Sequence, residues 1–445
     1  MVGVPARAFD GLTIMRYAPF YRERSNGGVE QCLRLLNRGL LQRHRMTILQ
    51  VYRVRDLQGS RIEMERMEKG QIVWIPAAYQ RTPSRFADLP KRAWFVYKQT
   101  RHAYRQFGEG AGRATLSAAK AVFRGSFEDL RHRSVILSDP LSRLLLTYKV
   151  NLLALHGLTY DAGNLIHRAQ KAGIPYVLIS HFDNSLFSEP YVQKWIPDAA
   201  GVGSVSARGL PDHIRGQCMN LSDAINTEFF SPEEVPASQA RAPFTILLPA
   251  LIKPGKGQED LLRAACILAA RNFNFRVCFA GAVESESLYQ DLRNFVAGHG
   301  LEDRVIFLGE LDQEGIRNRY ATSSVAVLPT YSEGLGRVLL EAQAMERPVV
   351  AYDCGGVGEA VLPNETGFLV KTGDVQALAD RIGFLLENEG ERVRMGKQGR
   401  EFVLRRFGIS AYIQRHEAFY LRALSGGCAT DGPKNGSAQP FHAWH

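Results

Sequence analysis

Val325-Ala-Val-Leu-Pro-Thr-Tyr-Ser-Glu333-Gly-Leu-Gly-Arg-Val-Leu-Leu-Glu341-Ala-Gln-Ala-Met-Glu-Arg-Pro-Val-Val-Ala-Tyr-Asp353-Cys-Gly-Gly-Val-Gly-Glu359 is the stretch that decides the fold. An apolar strand over Val325–Leu328 runs into a glycine-bearing loop that holds Glu333. Leu339, Leu340 and Ala344 then recur at helical spacing, with Glu341 on the early turns. A second strand, Pro348–Tyr352, leads into the loop Gly355-Gly-Val-Gly-Glu359. Strand, glycine loop and helix N-terminus together hold an anionic group on backbone N–H groups. Two acids, Glu333 in the loop and Glu341 on the helix, suit hydroxyl groups better than phosphate. An anion beside a polyol points to a sugar nucleotide.

Outward from this stretch the same alternation continues. Upstream, Phe244-Thr-Ile-Leu-Leu-Pro249 precedes the turn Lys253-Pro-Gly-Lys-Gly257 and a helix over Gln258–Ala270. Strands are expected at Phe275–Ala280, Val305–Leu308, Val325–Leu328 and Val349–Tyr352, with helices near Ser287–Ala297, Ile316–Ser323 and Arg337–Ala344 between them. Helices near Val375–Leu386, Glu391–Arg406 and Ser410–Leu424 close the series. Strands separated by helices argue for a parallel sheet covered on both faces.

A first series fills the N-terminal half. Leu12–Tyr17, Met46–Tyr52, Ile72–Pro76, Val150–Leu155 and Tyr176–Ser180 read as strands, with helices near Val29–Leu41 and Ala162–Ala172. The loop ending in Gly27 and Gly28 lets an acceptor or phosphate approach the backbone closely, or is merely a tight turn. His181 stands just past the end of a strand, where ligands of open α/β sheets gather; the plain alternative is a structural histidine. Residues 217–243 lose periodicity and read as an interdomain connection. The expected organisation is an N-terminal domain over 1–235, a C-terminal domain over 236–408, a closing helix over 409–424 that returns to the N-terminal domain, and a disordered tail over 425–445.

Bulk properties agree with a two-domain soluble protein. A chain of 445 residues exceeds one ordinary core. No apolar run is long enough to span a bilayer, and the first residues lack the apolar core of a secretion signal, so a cytoplasmic location is expected. Six dispersed cysteines with no C-x-x-C pair argue against a disulfide framework or zinc site. The net charge of +10 is concentrated in 81–133, where twelve Lys or Arg residues face four acids and aromatics such as Trp94, Phe95 and Tyr97 are interleaved. That insert suits an anionic membrane surface on the inner face, or is a solvated basic face. No nucleic-acid module is present, and no partner of that kind is expected.

Two doubly wound domains facing each other across a cleft suit a transfer between two substrates. Departure of a nucleoside diphosphate needs positive charge on the leaving phosphates. No D-x-D pair is present to hold a divalent ion. Lys256 and the amides of Gly334, Leu335 and Gly336 supply the charge instead, so no metal or resident cofactor is expected. The co-substrate is a nucleotide sugar, such as a UDP- or GDP-sugar.

The chain resembles the GT-B glycosyltransferases, specifically glycosyltransferase family four. The resemblance rests on Glu333 and Glu341 within EGLGRVLLEAQAMERPVVAYDCGG, supported by Asn26-Gly-Gly-Val-Glu30, Pro175–His181, Ile225–Pro232, Phe307-Leu-Gly309 and Thr366–Val370. It implies a retaining, metal-independent sugar transfer to a hydroxyl of a glycan, a lipid-linked or a small acceptor. It also implies residue roles: Glu341 on the donor's ribose, Glu333 and the Gly334–Gly336 backbone beside the donor sugar, Lys256 on the diphosphate, and His181 near the transferred sugar and acceptor. Gly27 and Gly28 match the family's N-terminal glycine loop. Ala250 departs from the pattern, standing where the family carries an arginine. Lys253 is one candidate for the missing charge and Arg337 another. The alternative is a weakly active or inactive homologue that binds sugar nucleotides or a membrane surface.

Overall fold

The computed structural model describes residues 8–18, 28–54, 63–78, 144–158, 162–181, 184–234 and 243–426. Gly27, the basic insert 81–133 and the tail from 427 lie outside the described residues. The chain forms two compact units, one of residues 11–23 and 46–176, the other of residues 1–10, 24–45 and 177–445.

In the smaller unit five strands lie in the order β3-β4-β2-β1-β5. They are β1 (Thr13–Tyr17), β2 (Thr47–Val54), β3 (Glu63–Arg66), β4 (Gln71–Ala78) and β5 (Leu152–Leu155). All pair in parallel except β3, which runs antiparallel to β4. Sequence patterning misses β3 because Glu-Met-Glu-Arg is a charged, largely exposed strand with no apolar face.

The larger unit carries β6 (Tyr176–Ser180, entered from the smaller unit at its first residue), β7 (Gly201–Ser204) and β8 (Cys218–Asn220), with β7 parallel to both neighbours. The last two also escape the sequence reading. Gly-Val-Gly-Ser lacks side chains to alternate, and Cys-Met-Asn lies inside the stretch read as a connection. A Cβ on Gly201 would stand 2.8 Å from the Phe419 ring, and one on Gly203 would stand 2.5 Å from Leu221. The glycines thus let the last helix lie directly on β7.

A second sheet in the same unit holds six strands in the order β11-β10-β9-β12-β13-β14, all parallel. They are β9 (Phe244–Pro249), β10 (Phe275–Ala280), β11 (Val305–Phe307), β12 (Val325–Leu328), β13 (Val349–Tyr352) and β14 (Gly367–Val370). This doubly wound order reverses direction between β9 and β12, and ligands of open α/β sheets bind at that switch, beyond the strand ends. Alternate side chains enter opposite cores: Ile246, Leu248, Val325 and Val327 face one cluster, Leu247, Ala326 and Leu328 the other. Helices Gln258–Ala270 and Val375–Glu387 cover the first face; Arg337–Ala344 and Glu389–Phe407 contribute to the second. Two buried faces explain why these strands read as continuous apolar runs.

The final helix, Ile409–Leu424, packs on the helix Gly28–Arg43, which begins at Gly28 rather than after it. Glu417 accepts from Arg43 Nη1 at 3.2 Å and meets His44 Nε2 at 2.8 Å. Its side chain and that of His44 are each 4% exposed. No described helix is long and apolar enough to cross a membrane. Glu417→Ala, which strands the buried His44 ring and frees a partly exposed Arg43, should cost about 3 kcal/mol; chemical denaturation checks this, and an unchanged midpoint would show the cluster to be dispensable.

Candidate functional site

Three loops leave the carboxyl ends of β9, β12 and β13, and glycine lets their backbones touch. Gly257, with φ of 74°, caps the Gln258–Ala270 helix, and a Cβ there would fall 1.9 Å from the Pro329 carbonyl oxygen. Gly356 lies so close to the loop after β12 that its Cβ would stand 1.8 Å from the Gly334 oxygen. The Gly255 oxygen accepts from Tyr331 N at 2.9 Å and Thr330 Oγ1 at 3.0 Å, and Gly356 N donates to Glu333 O at 3.1 Å. The Cys354 thiol donates to Thr330 O at 3.1 Å, and burial, followed by the neighbouring acids, pushes its pKa up to about 11.

This packing brings Lys256 to Glu333. Lys256 Nζ stands 2.6 Å from Glu333 Oε2, with the two side chains 20% and 25% exposed. The cation and the first acid therefore come from loops on the two sides of the switch point, and both remain open to solvent. Tyr331 follows the same logic of pinning: its hydroxyl, with that of Tyr352, donates to Asp260 Oδ2. A half-exposed tyrosine is thus fixed next to the pair.

Gly336, with φ of 82°, opens the helix Arg337–Ala344. One and a half turns on, Glu341 is buried, and Tyr320 donates its hydroxyl to Glu341 Oε2 at 3.2 Å. Burial pushes the Glu341 carboxyl above the ordinary glutamate value, while Arg337 and the Tyr320 hydroxyl oppose that push.

The other expected site residues fall as follows. Leu335 is buried in the core beneath the loop, so its side chain serves packing, and only its backbone is left for a ligand. Lys253 Nζ lies 3.7 Å from Glu284 Oε2, both side chains substantially exposed. Arg337 Nη1 donates to Ala224 O at 2.6 Å and contacts Cys32 Sγ, while Nη2 donates to Gln31 Oε1 at 3.1 Å and faces Glu341 Oε1 at 3.5 Å. His181 is buried immediately beyond β6. Gly28 is the first residue of its helix. Ala250 packs against both cores, and its carbonyl oxygen would stand 2.1 Å from a Cβ on Gly281. Among the described residues no group of three or more His, Cys, Asp or Glu side chains could hold a metal ion.

Glu359 is a residue the sequence reading quoted without assigning a role. Its Oε1 accepts from Ser206 Oγ at 2.6 Å, Ala207 N at 2.7 Å and Arg208 N at 3.0 Å, and its Oε2 from Asn220 Nδ2 at 2.9 Å. Arg208 also pairs with Asp353, and Asn184 donates to the oxygens of Ser206 and Arg208. The turn after β7 is thereby sewn to the loop after β13. An acid closing a glycine pair at a strand end was the available signal; its partners, more than 130 residues away, were not.

Residues 233–402 match the family model Glycosyl transferases group 1, and the resemblance read from the sequence is borne out there. A D-inositol 3-phosphate glycosyltransferase of Corynebacterium efficiens is 32% identical over 180 residues, 40% of this chain and 42% of that protein. The matched stretch thus spans about two fifths of this relative's length. Among solved structures, a sucrose-phosphate synthase of Thermosynechococcus elongatus superposes with a TM-score of 0.64 at 20% identity, covering 93% of this chain and 99% of its own. An Anabaena protein solved with UDP and glucose superposes with a TM-score of 0.62 at 16% identity, covering 91% and 98%. The chain has the GT-B fold.

Glu359→Ala would leave two backbone N–H groups, a hydroxyl and an amide without their acceptor. The variant should lose about 3 kcal/mol of stability, the upper end for hydrogen bonds to a charged group. Denaturant titration followed by tryptophan fluorescence checks this; wild-type stability would show that water replaces the carboxylate.

Proposed function

We propose that this chain is a glycosyltransferase that moves a sugar from a nucleotide-sugar donor, such as a UDP- or GDP-sugar, to a hydroxyl of a glycan, lipid-linked or small acceptor. The observation that carries the reading is Lys256 on Glu333 at 2.6 Å, delivered from the loops after β9 and β12. Sequence kinship with a sugar-transferring relative and the fold shared with a UDP-holding protein support it.

In this reaction the bond from the sugar's anomeric carbon to the leaving phosphate oxygen breaks. A bond to the acceptor oxygen forms on the same face of the ring, and the acceptor proton passes to the departing diphosphate. Negative charge grows on that diphosphate, so fixed positive groups aimed at it lower the barrier. Lys256 and the amides of Gly334–Gly336 fill this role without recourse to a metal. Glu341 takes the ribose hydroxyls, Glu333 lies by the donor sugar, and His181 lies near the transferred sugar and acceptor, with the Gly27–Gly28 loop on the acceptor side. Lys253 is the second cation, in place of the side chain Ala250 lacks. Its exposed contact with Glu284 at 3.7 Å is of a kind worth little, so it does not hold Lys253 back.

Ala250 also favours a second reading, a homologue that binds sugar nucleotides with weak or no catalysis. The basic insert 81–133 carries the further proposal of a cytoplasmic protein docked on an anionic membrane surface. Turnover of a UDP- or GDP-sugar separates the two principal readings. Lys256→Ala and Glu333→Ala should each lower kcat by about a hundredfold or more, and Lys253→Ala should raise KM for the donor about tenfold. Full turnover in the first two variants would overturn the catalytic roles, and an unchanged KM in the third would remove Lys253 from the site.

A further inference from the structure

We propose that Arg337 is a positioning residue for nucleotide recognition, aiming Glu341 at the ribose while tying that carboxylate to the helix Gly28–Arg43. The inference rests on the reading of Glu341 as the ribose acceptor, and it gives Arg337 a task other than binding phosphate.

Arg337 has no freedom to act as a loose cation. Its side chain is 11% exposed, and its guanidinium spans three pieces of chain. Nη1 donates to Ala224 O at 2.6 Å and contacts Cys32 Sγ, and Nη2 donates to Gln31 Oε1 at 3.1 Å. Cys32 in turn donates its thiol proton to Asp223 Oδ1 at 3.2 Å. A planar guanidinium with its donors in fixed directions suits this bridging, which a flexible ammonium would not reproduce. Nη2 also faces Glu341 Oε1 at 3.5 Å, while Nε is buried without a hydrogen-bond partner among the described residues.

The arrangement leaves Glu341 with the right acceptors to spare. An ionised carboxylate offers about four acceptor directions. Tyr320, whose hydroxyl is shared with Val338 O at 3.1 Å, takes one on Oε2 at 3.2 Å, and Arg337 faces one on Oε1. Among the described residues two are not taken up, the number that a vicinal diol such as a ribose 2′,3′-hydroxyl pair requires. A protonated carboxyl would lose an acceptor and gain a donor, so recognition depends on the charge. Burial works against that charge, and Arg337 is the leading opposing influence, followed by the Tyr320 hydroxyl. Behind Arg337 stand Cys32, Asp223 and, from the last helix, Tyr412. Removing the guanidinium therefore raises the Glu341 carboxyl further, and ribose-dependent binding is lost at a higher pH than in the wild type as pH falls.

Calorimetry with UDP, GDP and their 2′,3′-dideoxy counterparts, across pH 5 to 8, tests this. Wild-type protein should prefer the ribonucleotide of whichever base it binds by about tenfold, the size of one hydrogen bond to a charged group. Arg337→Leu should lose most of that preference near the acid end while keeping its affinity for the dideoxy nucleotide. Arg337→Lys, which keeps the charge without the planar fork, should return the pH midpoint toward the wild-type value while restoring only part of the preference. If Arg337→Leu fails to fold, Arg337→Gln carries the same expectation without the charge. A neutral variant that keeps both the preference and its pH profile would overturn the positioning role and leave Glu341 as ribose acceptor. A wild type that binds both nucleotide forms alike, or neither base, would overturn the ribose reading and this inference with it.

Discussion

The carbonyl oxygens of Pro329 and Gly334 lie where Cβ atoms would be on Gly257 and Gly356. This contact of backbone on backbone fixes everything above the second sheet. The loops after β9, β12 and β13 meet with no side chain between them, so Lys256, Glu333 and the Gly334–Gly336 amides share one small surface. Any side chain at either glycine would have to push carbonyl groups aside, and carbonyls belonging to a packed sheet do not yield cheaply. The doubly wound order then adds direction, because the gap between β9 and β12 is where the chain reverses and where a ligand can enter.

Charge on this surface is paired before any ligand arrives. Lys256 meets Glu333, Arg337 meets Glu341, and Lys253 meets Glu284. The pairs differ in burial, and that difference assigns their tasks. Lys253 and Glu284 are exposed enough that the contact costs little to break. Lys256 and Glu333 are partly open, so under the proposed function an arriving diphosphate would compete for the ammonium and release the carboxylate towards the donor sugar. Arg337 and Glu341 are closed in by Ala224, Gln31, Cys32 and Tyr320, and this pair acts as a fixed part of the wall. Glu359 extends the same principle away from the site, with one carboxylate taking three hydrogen bonds from the turn after β7 and a fourth from Asn220 at the end of β8.

Much of this was legible in the sequence. The strands on both sides of Glu333 and the helix Arg337–Ala344 follow from apolar runs, glycine and spacing, and the structure places them as read. Three of the strands missed have a common cause. β3 is charged, β7 is half glycine and β8 is three residues long, so none carries a periodic pattern. The same limit applies to Arg337 and Glu359. Their residue types stood in plain view, but Gln31 and Ser206 are brought to them only by the fold, across 306 and 153 positions of chain. Ala250 shows the reverse: its absence of charge was read directly, while the contact of its backbone carbonyl with Gly281 explains the glycine at 281 and not the alanine.

The central claim is that the loops after β9 and β12 form a site for a nucleoside diphosphate. A thermal-shift series with UDP, GDP, ADP and their sugars tests it most directly, because a ligand of the native state at a hundred times its Kd adds about 2.7 kcal/mol. At least one nucleoside diphosphate should raise Tm, with a shift that grows with the logarithm of its concentration. A flat response to all of them would contradict the account.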